Sequence, residues 1–125
     1  GGSDYDAVKT TTYFETIHDE ADSSTSLGYQ SSLDIAQGTG FQTILRFIGN
    51  DNDQCASGIM RLYNPSSTTF VKHFVAVGSS VTGGDYINNH YVAGYCNTTT
   101  AIDGVQFKFA SGEIQGGTID LFGVV

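Results

Sequence analysis

Tryptophan is absent, and the chain of 125 residues holds one proline, one methionine and two cysteines. Without Trp the commonest platform for stacking a sugar ring is missing. Cys55 and Cys96 are too few for a disulfide framework. No Cys and His spacing suits zinc. The single proline, Pro65, leaves every strand interior free to form a full hydrogen-bond ladder.

Charge is scarce too. Charged residues make up 14% of the chain, against roughly 25% in an average domain. The five basic residues, Lys9, Arg46, Arg61, Lys72 and Lys108, are scattered rather than clustered. A phosphate backbone needs clustered cations, so no nucleic-acid partner is expected. No run of about 18 apolar residues occurs, so no helical span and no membrane partner are expected. No signal peptide is visible.

What fills these gaps is Ser, Thr, Asn and Gly around a 39% hydrophobic set dominated by seven Tyr and eight Phe. The apolar content is too high and too regular for disorder. The length fits one domain covering residues 1–125, long enough to bury an ordinary core. Net charge is −8 and the sequence pI about 4.4. Residues 1–53 carry nine acids against two bases, whereas the remainder is close to balanced. That imbalance reads first as a soluble, self-repelling face.

Good helix formers are sparse and β-branched and aromatic residues abound. Thr10 to Ile17, Phe41 to Ile48, Ile59 to Tyr63, Phe70 to Val77 and Tyr86 to Cys96 read as strands. Ile59–Tyr63 and Phe70–Val77 face each other across a turn that begins Asn64-Pro65. Val105, Phe107 and Phe109 alternate with Gln106 and Lys108, the cleanest half-buried pattern in the chain. Ile119 to Gly123 alternates likewise. Residues 19–40 read as a long acidic surface loop holding one short strand or helical turn. The expected fold is all-β: an antiparallel β-sandwich, jelly-roll-like, with about seven or eight strands.

Chemistry finds little footing. His18, His73 and His90 stand near no Gly-x-Ser-x-Gly elbow; the nearest segment, Val77-Gly78-Ser79-Ser80-Val81, lacks the second glycine. The three histidines read as structural or interface residues. Asp19, Glu20 and Asp22 lie in a polar loop where desolvating one carboxyl for glycoside hydrolysis is hard to arrange. His18-Asp19-Glu20 with Asp22, and Asp51-Asn52-Asp53, are oxygen-rich enough to consider for calcium. The second departs from the EF-hand pattern after Asp53 and lacks its glycine. No catalytic residue, metal ligand or cofactor is assigned, and no enzyme is expected. In the simplest meander Cys55 and Cys96 sit at opposite ends of the sheet as free, partly buried thiols; another strand order would bring them together. Asn97-Thr98-Thr99 is a glycosylation sequon that matters only on a eukaryotic secretory route.

The segments Ser66 to Phe74, Val92 to Tyr95, Asn97 to Ile102, Phe107 to Gly112 and Gly117 to Gly123 together resemble structural proteins of tailed phages, many of them marine. Tyr13-Phe14 followed by His18 to Ser23 resembles the same group. The likeness runs along nearly the whole chain, and its hairpin ending is common among β-rich phage appendages. It implies a virion protein on the particle surface: a capsid fibre or decoration, or a tail-fibre module, corresponding to the C-terminal part of a longer product. It implies no catalytic residues. Sister copies and other virion proteins are the implied partners, in a homo-oligomer with a trimer favoured. The alternative is a carbohydrate-binding module that attaches to a host surface glycan, with a site near Asn88, Asn89, His90 and Tyr91.

Overall fold

The computed structural model describes residues 4–124. These form an all-β protein with five antiparallel strands in one open sheet. The strands are β1 (Lys9–Asp19), β2 (Thr25–Tyr29), β3 (Ala56–Leu62), β4 (Lys72–Val81) and β5 (Tyr86–Cys96), with one 3-10 turn at Ser31–Leu33. The sheet order is β2-β1-β5-β4-β3. Hairpins join β1 to β2, β3 to β4 and β4 to β5, while β2 and β3 lie at opposite edges of the sheet. The one adjacent pair distant in sequence is β1 and β5, where β1 lies along all of β5, from Lys9 opposite Cys96 to Asp19 opposite Tyr86. β4 flanks the other side of β5, with Lys72 opposite Cys96 and Val81 opposite Ile87.

Local chemistry sets the turns. Asp19 closes the β1–β2 connection by accepting the backbone N–H groups of Ser23 at 2.9 Å and Ser24 at 2.7 Å, and the Ser23 hydroxyl. These bonds hold its carboxyl below the usual aspartate range. In the β4–β5 turn Asp85 takes φ 59°, a left-handed conformation that Asp tolerates. Pro65 follows Asn64 at φ 48°, and the Ser67 N–H closes that turn on the Asn64 carbonyl at 3.1 Å.

One sheet face is covered by the chain itself. Residues 33–49 cross it as a strap. The strap begins beside β1, where Thr11 N–H donates to the Ile35 carbonyl at 2.9 Å, and ends beside β4, where Gly49 N–H donates to the Val81 carbonyl at 2.9 Å. Tyr13, Phe74, Ala76 and Val92 form the buried core, with Leu33, Ile44, Met60 and Leu62 packed on it. Glycine permits the closest approach. A Cβ on Gly78 would stand 2.6 Å from the Leu45 side chain and 2.9 Å from the Ser57 carbonyl, so the strap lies directly on bare backbone there.

Three expected strands are not formed. Phe41–Ile48 runs in the strap, over a face and not along an edge, so no neighbour offers it a ladder; side chains serve its backbone instead. Val105–Phe109 and Ile119–Gly123 lie outside every strand and pair with none, and residues 103–124 are exposed throughout. The alternation that marks them as strands needs a covering surface to bury one row, and the described residues form one sheet whose strapped face is already occupied. Hence five strands stand where seven or eight were expected, with no second layer and no jelly-roll closure among the described residues. The 19–40 segment holds both a strand and a helical turn. Cys55 precedes β3, near Val81, while Cys96 lies at the opposite end of β4, opposite Lys72. Both thiols are free; Cys55 is exposed rather than partly buried. Among the described residues no helix is long and apolar enough to cross a membrane.

Candidate functional site

The covered face is unusually polar. Thr11, Glu15, Asp19, Lys72, Ser80, Asn88 and His90 are all buried, outnumbering the four buried hydrophobic residues. The period-2 alternation of β1, β4 and β5 puts Glu15, Ser80, Asn88 and His90 on this face, and the register makes them neighbours: Glu15 opposite His90, and Ser80 opposite Asn88.

His90 is fully covered and sits between two hydroxyls. Its Nδ1 lies 2.6 Å from the Tyr13 hydroxyl and its Nε2 lies 3.0 Å from Ser80 Oγ. Glu15 Oε2 stands 3.4 Å from Nδ1. A Ser-His-Glu line therefore exists, built from three strands. Its protons run the wrong way for a nucleophile. Ser80 has one proton, and it goes to the Arg46 carbonyl, a pure acceptor, at 2.9 Å. His90 Nε2–H must then donate to Ser80, leaving Nδ1 to accept from Tyr13. Burial pushes the His90 pKa down against the pull of Glu15, so the ring stays neutral. Burial, helped by Glu15, raises the Tyr13 phenol to about 12, so it keeps its proton. Ser80 is also 1% exposed, out of reach of any substrate. The line works as a strut: it ties the strap carbonyl at Arg46 to the sheet.

Glu15 carries a second set of contacts. Arg46 grips it through Nε at 2.9 Å and through a second guanidinium N–H, and Gln30 Nε2 donates to it at 3.0 Å. This is a forked, charge-assisted pair on a carboxylate that is almost wholly buried. The Arg46 guanidinium also stands 4.4 Å from the Phe47 ring centroid. Phe47 is exposed and has φ 56°, an uncommon conformation for a residue of its bulk.

Beside this pair opens a cleft of about 720 Å³, between the strap, β2 and the β4–β5 turn. Glu15, Gln30, Arg46, Phe47, Tyr86 and Asn88 line it. The residues first considered for sugar binding are split between faces. Asn88 and His90 are on the covered face, Asn89 and Tyr91 on the open one. Tyr91 is stacked on Phe14 at 4.7 Å and 9°, which occupies a ring face.

The acidic loops hold no assembled metal site. Asp19 is used by Ser23 and Ser24, and Asp22 meets His18 at 3.0 Å. Asp51 and Asp53 are exposed. Among the described residues no group of three or more His, Cys, Asp or Glu side chains is placed to hold a metal ion. Glu15 and Arg46 went unnoticed in the sequence because 31 positions separate them; Glu15 in phase with Thr11 and Tyr13 on β1 was the available signal.

The open face reverses this chemistry. Phe14, Leu27, Tyr29, Ile59, Val75, Val77 and Ile87 stand on it, all exposed. No family model, no curated protein and no solved structure matches the chain.

Proposed function

We propose that this chain is a structural module of a tailed-phage particle, acting by assembly at the virion surface in a capsid fibre, a capsid decoration or a tail fibre. The observation that carries the reading is the inverted burial: charged and polar groups beneath the strap, large apolar groups on the open face. An apolar sheet face of this extent marks a contact surface.

Area supports the same conclusion. A folded monomer of 13.3 kDa is expected to expose about 6,450 Å². This chain exposes 8687 Å², a surplus of about 2,200 Å². If each of two copies loses that surplus, the interface reaches about 4,400 Å², within the span of obligate homo-oligomers. The occupant we propose is the 103–124 segment of a sister copy. Its unpaired alternation, Val105, Phe107 and Phe109, then Ile119 and Leu121, offers one apolar row to meet another. The sandwich of seven or eight strands, jelly-roll-like, would thus be completed between copies. Closed symmetry lets one patch serve repeatedly, and a trimer is the favoured form. The phage context rests on the sequence resemblance in segments 66–74, 92–102, 107–112 and 117–123.

Sedimentation equilibrium of the chain at micromolar concentration tests the reading. A trimer or dimer is expected, reduced to monomer when residues 103–124 are removed. A strictly monomeric full chain would overturn it.

A further inference from the structure

We infer that the free edge of β3 takes residues 119–124 of a sister copy as an added antiparallel strand, with Arg61 opposite Asp120. β3 is one edge of the sheet and has a strand, β4, on its inner side only. The Tyr63 N–H donates to the His73 carbonyl at 2.9 Å, and the Cys55 carbonyl accepts from the Val81 N–H at 3.1 Å, so the odd-numbered residues bond inward to β4. By antiparallel alternation Ala56, Gly58, Met60 and Leu62 aim their N–H and C=O groups outward. None of these groups has a hydrogen-bond partner among the described residues. Proline, lysine and bulges ordinarily blunt such an edge. β3 has no proline or lysine and runs in unbroken register with β4.

Residues 119–124 match what this edge lacks. They alternate like a strand, join no ladder among the described residues, and leave Leu121 98% and Phe122 80% exposed. Charge fixes the register. Arg61 and Asp120 are both exposed, and neither has an ion-pair partner among the described residues. Set opposite each other in an antiparallel pair, they bring Leu62 to Ile119, Met60 to Leu121, Ile59 to Phe122 and Gly58 to Gly123. Every apolar side chain then meets an apolar one, and the two opposite charges meet each other. A slip by one residue would set Asp120 against Met60 or Leu62 and turn Phe122 away from Ile59.

Both faces of the sheet accept the added strand. Ile59 lies opposite Val77, so the Ile59–Phe122 contact continues the apolar open face. Met60 and Leu62 already pack on the buried core, and Leu121 and Ile119 extend that row outward. The sheet is antiparallel throughout, and antiparallel pairing is slightly the more stable per residue. The segment is not paired with its own β3, so a second copy is the donor. Main-chain bonds along an exposed edge supply affinity and the alternate side chains supply register. This inference rests on the assembly reading and names the edge through which copies join. Donation runs head to tail, and such a contact closes into a ring when the rotation permits.

The test is a disulfide between two chains. Ile59 bonds inward, so it and Phe122 form a non-hydrogen-bonded pair, with Cα atoms about 4.5 Å apart and within disulfide range. In a Cys55→Ser, Cys96→Ser background, a chain with Ile59→Cys is mixed with a chain carrying Phe122→Cys under mild oxidant. A disulfide joining the two chains is expected on non-reducing electrophoresis. Thr118→Cys in place of Phe122→Cys should give little, and a dominant link there would mean parallel pairing and overturn the register. Arg61→Glu and Asp120→Arg should each raise the concentration for half-dissociation about five-fold in sedimentation, and the double variant should restore it. A monomeric wild-type chain would overturn the assembly reading and this edge with it. An oligomer that forms no such disulfide, or whose charge reversals fail to compensate, would overturn the edge alone.

Discussion

The two faces of this sheet use their residues in opposite ways. Beneath the strap, β1, β4 and β5 contribute Glu15, Lys72, Ser80, Asn88 and His90, side chains that ordinarily seek water. On the other side the same strands present Phe14, Val75, Val77 and Ile87 to solvent. The difference lies in what each set of side chains requires. Buried polar groups need specific partners, so they fix one strap in one place. Exposed apolar groups are indifferent to orientation and would need only area from a partner surface of the kind proposed. Lys72 illustrates the first kind: fully covered, it reaches the Thr98 carbonyl at 3.1 Å and pins the segment after β5.

Substitutions should separate the faces. The largest effect is expected at Glu15. Glu15→Ala leaves Arg46 without its carboxylate and Gln30 without its acceptor, costing about 3 kcal/mol in urea denaturation. A loss below about 1 kcal/mol would mean that the strap is not held by this pair. Next comes Gly78→Val. Its added carbons meet Leu45 and the Ser57 carbonyl, so overpacking should cost about 2 kcal/mol and loosen the strap. The open face should behave differently. Val77→Glu touches nothing beneath the strap and should change the stability of a single, unassociated copy by about 1 kcal/mol or less. It should nevertheless convert the proposed oligomer to monomer in sedimentation, because a buried unpaired carboxylate is not tolerated in an apolar contact. Val77→Glu that stays oligomeric would remove the open face from the assembly contact.

The strands of the sheet were legible wherever a residue's own chain neighbours decide. β5 matches its sequence boundaries, Tyr86 to Cys96, and β1 extends the expected Thr10–Ile17 by a residue or two at each end. The turn at Asn64-Pro65 was legible because proline fixes φ. What was hidden depends on placement. Phe41–Ile48 has a strand's composition, but its destination is a face, and alternation cannot distinguish a face from an edge. Val105–Phe109 has the cleanest alternation in the chain and pairs with no strand among the described residues, because pattern records burial without naming the partner. The Ser80–His90–Glu15 line was invisible for a related reason. Three strands bring it together, and no local motif marks it.

The smallest expected effect is a pH dependence that belongs to the covered face alone. His90 is buried neutral between Tyr13 and Ser80, with Glu15 and the Arg46 guanidinium the charged groups near it, and its folded pKa lies below the ordinary 6.5. As pH falls through 6.5 the unfolded chain binds a proton before the folded chain does, so stability is full above about 6.5 and declines below it. Asp19 gives a second limb. Its folded pKa is depressed by the Ser23 and Ser24 bonds, so its contribution is present above the ordinary 3.8 and is lost as pH falls through the folded value. Melting temperature measured from pH 8 to pH 3 should therefore fall in two stages. His90→Gln should flatten the upper stage and leave the lower one, and Asp19→Asn should do the reverse. If Val77→Glu, on the open face, altered either stage, the two faces would be coupled and the contrast between them would fail.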